Sequence, residues 1–286
     1  MLFCSKLVLL TLLPLVLAAP APAPGAEVEE RATEATTFCG QWDTSASGNY
    51  ELLLDQWGLS GASSGSSDCA SITSSSGSTI AWTTTWKWIG GTGVKSFTNI
   101  QLNAGINRQL SAIGTIPNRF TKTDYRFKKS TWNWKQTSTG TIVADVAYDL
   151  FTSNSPGSTL PCFFSTGAAT TEIMIWLANF NAGPISSSYN SAGQPNPVAT
   201  GISLAGHTWN LYSGSNGANA VFSFLPSTAG TQITSFSGDV KTFLTTIDGS
   251  FYAQYLTQHE GLSTSQYLTT FQAGTEATSG SATLTT

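Results

Sequence analysis

The chain has 286 residues, enough for one large domain or two small ones with a substantial core. Charged residues make up only 10 % of it and the formal net charge is −4, against a usual charged share of about 25 %. That shortage excludes a highly charged disordered protein, a coiled coil and a basic nucleic-acid binder, while 27 Gly, 9 Trp, 8 Tyr and 15 Phe point to an all-β protein of many short strands and turns.

Residues 1–18 carry one cation, Lys6, then the apolar run 7–17, then small residues at Ala18 and Ala19, the pattern of a secretory signal peptide. The run is too short to span a bilayer, so an extracellular, soluble protein with no membrane attachment is expected once it is removed. Residues 19–37 hold a Pro/Ala stretch and the acids Glu27, Glu29, Glu30 and Glu34 without a periodic apolar face, and read as a linker or short pro-segment. Compact structure is expected over 38–286 as a single domain.

Cys4 leaves with the signal. Cys39 and Cys69 bracket the first strand pair, and a bridge closing that loop would stabilise the fold by roughly 3–4 kcal/mol. Cys162 is left over as a buried small hydrophobe, a free thiol or an intermolecular partner. Two histidines and no Cys-x-x-Cys spacing speak against a zinc site, and no metal or cofactor is expected.

Alternate residues of a strand share a face. Ile80, Trp82, Thr84, Trp86 and Trp88 form an aromatic row, which is either a core face or a platform for sugar rings. Along 142–151, Asp145 and Asp149 share a face with Val143 and Ala147, while Ala144, Val146, Tyr148 and Leu150 are turned to a core. The two carboxylates need either a solvated outer face or the floor of a cleft. In 172–180, Glu172, Met174 and Trp176 lie on one side and Ile173, Ile175 and Leu177 on the other. Taken alone, that strand favours a glutamate kept in water at a strand end.

Val240, Phe243, Leu244, Ile247 and Phe251 recur at helical spacing behind Ser237, Gly238 and Asp239, and predict one helix packed on the outside of a sheet. A last strand spans 266–274 and leads into Glu276. From residue 38 onward there are four glutamates, Glu51, Glu172, Glu260 and Glu276. Two of them sit on or just beyond apolar strands, and glycosidic hydrolysis needs such a pair: an acid for the leaving oxygen and a carboxylate to attack or to activate water.

Several segments, in order, resemble the secreted endoglucanases and xyloglucanases of glycoside hydrolase family 12. They are Phe38-Cys39-Gly40-Gln41-Trp42-Asp43, Gln56-Trp57-Gly58, Val143-Ala144-Asp145-Val146-Ala147-Tyr148-Asp149-Leu150-Phe151, Glu172-Ile173-Met174-Ile175-Trp176-Leu177, Gly183-Pro184-Ile185-Ser186 and Gln272-Ala273-Gly274-Thr275-Glu276. The resemblance implies a concanavalin-like β-jelly roll of two curved antiparallel sheets, with a cleft for a β-1,4-glucan polysaccharide and one helix on the convex side. By motif position it implies Glu172 as nucleophile and Glu276 as general acid/base of a retaining endo-β-1,4-glucanase. Asp149 matches the nucleophile's neighbour, Met174 and Trp176 the cleft floor, Trp57 a sugar-stacking residue on the glycone side, and Cys39 and Cys69 the family disulfide. The retaining mechanism requires carboxyls about 5–5.5 Å apart. The 38–43, 143–148 and 183–186 segments are closer to the xyloglucan-active branch, with cellulose or mixed-linkage β-glucan as the alternative substrate. A secreted monomer is expected.

The chain departs from that pattern in places. Residues 118–130 hold five of the 12 basic residues and read as a solvated loop. The chain stops at Thr286, short of the family's usual closing strand, which predicts an exposed sheet edge. Thr171 precedes Glu172 where an aromatic is common, and Ala277-Thr278 stands where Pro-Phe is frequent. A lectin-like binding module is the rival from another class, but it has no use for two opposed carboxylates. Gly61-Ala62-Ser63-Ser64-Gly65 matches a serine-hydrolase elbow formally, yet it lies in a Gly/Ser-rich loop. His207 and His259 lack a partnered nucleophile, and no Asn-x-Ser/Thr sequon occurs.

Overall fold

The strands follow the alternation of the sequence, and the described residues hold fifteen of them. In chain order they are β1 (Thr44–Ser47), β2 (Tyr50–Leu53), β3 (Ser67–Ser76), β4 (Thr79–Trp88), β5 (Ser96–Leu102), β6 (Arg108–Gln109), β7 (Ser130–Asn133), β8 (Lys135–Ser138), β9 (Val143–Ser153) and β10 (Thr171–Phe180), then β11 (Ala199–Leu204), β12 (His207–Ser215), β13 (Ala220–Pro226), β14 (Ser235–Gly238), a helix α1 (Lys241–Leu244) and β15 (Tyr267–Thr285). This is a computed structural model that describes residues 36–113, 130–157, 169–244, 256 and 260–286. The expected signal peptide, most of the expected linker, the basic stretch up to residue 129, Cys162 and His259 lie outside the described residues.

The larger layer runs β1-β2-β5-β15-β9-β10-β13-β12-β11. Opposite it, β3, β4, the end of β15 and β8 form a second layer, and β7 pairs with β14. The two curved layers make a β-jelly roll. Every neighbouring pair in the larger layer is antiparallel except β10 and β13, which are parallel, a departure from the all-antiparallel expectation. The cause is topological. Three strands follow β10 as an antiparallel meander from the far edge inward, so β11 and β13 both run in the direction of β10, and the connection 181–198 must carry the chain back along the sheet as well as across it.

β15 joins the layers. Its first part pairs with β9 and β5, and its last residues, Gly280 to Thr285, pair with β4. The corner lies where the register shifts between Ala277 and Ser279 and Gly280 takes φ +98°. A Cβ there would sit 2.8 Å from both Ile142 Cγ2 and the Thr141 carbonyl. The exposed edge expected at the C-terminus is therefore not found: from Ala282 to Thr285 the strand is paired on both sides, with β4 and β8.

The core fills the space between the layers. Leu52, Ile100, Leu150, Ile175 and Phe224 come from the larger sheet, and Trp82 and Leu284 from the smaller. The aromatic row of β4 belongs to the interior: Trp82, Trp86 and Trp88 are all fully buried, and Trp88 Nε1 donates to Ser96 Oγ at 3.1 Å, so that row is no sugar platform. Asp239 Oδ1 accepts from the Lys241 amide at 2.9 Å at the start of α1, and Phe243 packs edge-on to Trp209 and Phe224 at 5.3 and 5.1 Å. The expected Ile247 and Phe251 of this stripe lie outside the described residues.

Candidate active site

Three adjacent strands carry the acidic side chains. Met174 of β10 stands opposite Asp149 of β9, and Asp149 stands opposite Gln272 of β15. Residues opposite one another point to the same side of a sheet, and every second residue returns to it. Counting by twos from this row places Glu172, Met174, Trp176, Asp145, Asp149 and Glu276 on one face, turned away from the core that holds Ile173, Ile175 and Leu177. Glu172 and Glu276 thus lie on strands separated by β9 alone.

The side chains on this face are buried rather than solvated. Asp145 is 1 % exposed, Asp149 5 %, and Met174 and Trp176 4 % each. Of the two readings open for the β9 carboxylates, this burial excludes the solvated outer face and agrees with the floor of a cleft. The aromatic floor is internally satisfied, because Trp176 Nε1 donates to Met174 Sδ at 3.4 Å. Asp145 is bound to the strand that bears Glu276: its carbonyl accepts from Thr275 Oγ1 at 2.6 Å and its Oδ1 from the Glu276 amide at 3.4 Å. Asp149 Oδ1 has no hydrogen-bond partner among the described residues.

Burial of like charges drives the titration of the whole group upward. Burial pushes Glu172 up to about 7, and a hydrogen bond from Asn216 works against the rise. Burial first, then the charges of Glu172 and Asp55, push Glu276 up to about 8. Asp149 rises well above the carboxylate range through burial and then through the Glu172 and Glu276 charges; Asp145 does so through burial and Glu276. An ionised Glu172 thus raises the proton affinity of Glu276. One face therefore carries two interacting carboxyls, both raised above the ordinary carboxylate range.

Two members of the site escaped sequence reasoning. Asn216, in the turn between β12 and β13, donates Nδ2 to Glu172 Oε2 at 2.8 Å. The Ser215-Asn216-Gly217 turn signal was there to find it, although the turn's contact with a strand 44 residues away was not. Asp55 follows β2 with φ +41°, and burial pushes it up to about 6; its charge reaches Glu276 and Asp149. Aspartate is one of the few non-glycine residues that adopts this left-handed φ. Its place two residues before Trp57 was its only sequence signal.

Trp57 stands 53 % exposed just past Asp55, and Trp42 is 57 % exposed. Their segments are laced together: the Gln56 amide donates to the Gln41 carbonyl at 3.1 Å, and Gln41 Nε2 donates to the Gln56 carbonyl at 3.0 Å. The Cys39–Cys69 disulfide, with an S–S distance of 2.06 Å, fastens this segment to β3. The serine-hydrolase match has no strand-to-helix elbow, since a 3-10 turn at Leu59–Gly61 precedes Ser63 and β3 follows. His207 packs its ring against Trp209 and Phe236 at 5.9 and 6.2 Å.

Known proteins share this arrangement of sequence and fold. The family model for glycosyl hydrolase family 12 matches residues 48–286. Xyloglucan-specific endo-beta-1,4-glucanase A of Emericella nidulans is 44 % identical over 256 residues, 88 % of this chain and 89 % of that protein. The probable xyloglucan-specific endo-beta-1,4-glucanase A of Aspergillus flavus is 42 % identical over 272 residues, 94 % of this chain and 93 % of that protein. Among solved structures, the Trichoderma harzianum endoglucanase 3 superposes with a TM-score of 0.68 at 32 % identity, covering 88 % of this chain and 95 % of its own.

Proposed function

The chain belongs to glycosyl hydrolase family 12, and from that membership we propose that it cleaves internal β-1,4-glucosidic bonds of xyloglucan with retention, Glu172 acting as nucleophile and Glu276 as acid/base. One observation carries the assignment: Glu172 and Glu276 face the same side of the sheet across one intervening strand, and the charge of Glu172 reaches Glu276. Xyloglucan is the substrate favoured by the relatives at 44 % and 42 % identity, both named for it.

The chemistry follows from the effect of the Glu172 charge on Glu276. Glu172 in its ionised form attacks the anomeric carbon while Glu276 transfers its proton to the departing glycosidic oxygen. The sugar is then bound covalently through a Glu172 oxygen, so the negative charge that held the proton on Glu276 is gone. Glu276, now ionised, takes a proton from water, the resulting oxygen attacks the anomeric carbon, and Glu172 leaves as carboxylate. Asp149 stays protonated beside Glu172, which spares the nucleophile a second buried charge. Asn216 holds one oxygen of Glu172. Trp57 presents an apolar ring on which a sugar face can rest.

In this reading residues 1–18 are a signal peptide, 19–37 a linker and 38–286 the catalytic domain of a secreted enzyme. No helix among the described residues is long and apolar enough to cross a membrane.

The test is release of reducing ends from xyloglucan, mixed-linkage β-glucan and carboxymethyl-cellulose in parallel, with the product anomer followed by NMR. Turnover fastest on xyloglucan, retained configuration, and a loss of about 10³-fold or more in Glu172→Gln and Glu276→Gln are expected. No turnover on any of the three by correctly folded protein overturns the proposal.

A further inference from the structure

The route of the 181–198 connection leads to a residue that the reaction chemistry does not use. β11 runs parallel to β10, so this segment must travel back from the end of β10 towards the level of Glu172 before it reaches the sheet edge. It does so on the side of the acidic residues. Glu172 stands beside Val221 of β13, and Val221 beside Gly214 of β12, so Gly214 shares the face of the acidic residues. A Cβ on Gly214 would lie 2.8 Å from Ile185 Cγ2 and 3.0 Å from the Ser186 backbone. The connection therefore lies directly on the sheet at that point, and the Ser187 amide donates to the Ser213 carbonyl at 2.8 Å. Two strand spacings, about 10 Å, separate β10 from β12.

Beyond this anchor the chain rises into a tight, internally bonded excursion. Ser186 Oγ lies 2.8 and 3.0 Å from the Ser188 and Asn196 carbonyls. Asn190 Oδ1 accepts from the Ala192 and Gln194 amides at 2.9 Å each, and Asn196 Nδ2 donates to Ser188 Oγ at 2.9 Å. Tyr189 sits inside this framework, bridged to Pro195, and is nevertheless 55 % exposed. Among the described residues only three aromatic side chains are exposed to this degree: Trp42, Trp57 and Tyr189. The two tryptophans flank the β2 end of the larger sheet. Tyr189 belongs to the connection anchored on β12, towards the other end of the sheet, with Glu276 and Glu172 on the strands between.

We propose that Tyr189 is a sugar-stacking residue that closes the acidic face at the end opposite Trp57, taking a pyranose ring of the polysaccharide beyond Glu172. A sugar ring has an apolar C–H face and a hydroxyl rim, and a rigid phenol matches both at little cost in conformational entropy. The proposal rests on the glucan-hydrolase reading above. Because Tyr189 touches no reacting atom, its contact is made equally in ground and transition states, and its loss appears in KM rather than kcat.

The test uses Tyr189→Ala and Tyr189→Phe in the full-length protein, with xyloglucan as substrate. Tyr189→Ala is expected to raise KM about tenfold with kcat within twofold of the parent, while Tyr189→Phe, which keeps the ring and loses only the hydroxyl, raises KM by a smaller factor. In the Glu172→Gln background, Tyr189→Ala is expected to weaken calorimetric binding of a xyloglucan oligosaccharide by a similar factor. If the parent turns over xyloglucan and Tyr189→Ala leaves both KM and oligosaccharide affinity unchanged, the Tyr189 assignment falls and the hydrolase reading stands. If the parent neither binds nor cleaves xyloglucan, both fall together.

Discussion

Asn216 Nδ2 lies 2.8 Å from Glu172 Oε2, and the Asn216 side chain cannot turn away, because its Oδ1 accepts the amides of Ala218 and Asn219 at 2.9 and 2.7 Å. A four-residue turn between β12 and β13 is thus built around an amide whose one free end is aimed at the proposed nucleophile. The bond favours the ionised form of Glu172 and opposes the rise that burial imposes.

Asn216→Ala should therefore raise the proton affinity of Glu172. The proposed mechanism needs that group ionised, so the acid limb of the kcat/KM profile should move to higher pH. A hydrogen bond to a charged group is worth about 1.5–3 kcal/mol, which corresponds to a fall of roughly tenfold or more in kcat/KM. A pH–rate series on xyloglucan reads both effects. A drop in rate with an unmoved acid limb would mean that Asn216 supports only the turn.

Asp55 acts on the other limb. Its charge helps hold the proton on Glu276, so Asp55→Asn should lower the Glu276 titration and shift the alkaline limb to lower pH. Asparagine tolerates the φ of +41° at this position, so the fold should survive the change. The same pH series, compared with the parent, decides it, and an alkaline limb that stays put removes Asp55 from the titrating set.

Much of the site was legible because strand parity is legible. Glu172, Met174 and Trp176 could be placed on one face, and Asp145 and Asp149 on another single face, from spacing alone. What spacing could not show was that the two faces are the same one, which depends on the pairing of Met174 with Asp149. The fate of the β4 tryptophans was equally undecidable, since a core row and a sugar platform share one pattern and only the packing of Trp82 into the layer interface separates them. The exposed C-terminal edge failed for a related reason. One 19-residue strand serves both sheets, and nothing in 267–285 except the corner glycine announces it. Asn216 and Asp55 act through contacts distant in sequence, which local pattern does not encode.

The raised carboxyls also set how stability depends on pH. Asp55 is pushed to about 6, Glu172 to about 7 and Glu276 to about 8, and burial moves Asp68, Asp145 and Asp149 in the same direction. Unfolded carboxyls titrate near about 4. Between about 4 and about 8 the folded protein therefore binds more protons than the unfolded chain, and stability declines as pH rises through that window. Calorimetric Tm should be higher at pH 4.5 than at pH 8. Asp145→Asn, which keeps the shape but never ionises, should flatten the slope, and a Tm that climbs toward pH 8 would contradict the burial of these groups as neutral acids.

The disulfide offers a separate test of how the platform is held. Gln56 lies one residue before Trp57, and its Nε2 donates to the carbonyls of Cys39 and Asp68 at 3.2 and 3.1 Å, so the bridged segment and β3 both grip the residue that positions the tryptophan. Opening a cross-link of 30 residues should cost roughly 3–4 kcal/mol through the entropy of the unfolded chain. Because the Cys39 carbonyl is also a ligand of Gln56, the Cys39→Ala/Cys69→Ala variant should lose more than global stability. Well below its lowered Tm, where the protein is fully folded, KM for xyloglucan should still rise while kcat stays near the parent, since loosening Trp57 would weaken its proposed sugar contact without touching the carboxyl pair. If Tm falls and KM does not change, the disulfide serves the fold alone, and the hold on Trp57 rests on the Gln41–Gln56 bonds and the Asp68 carbonyl.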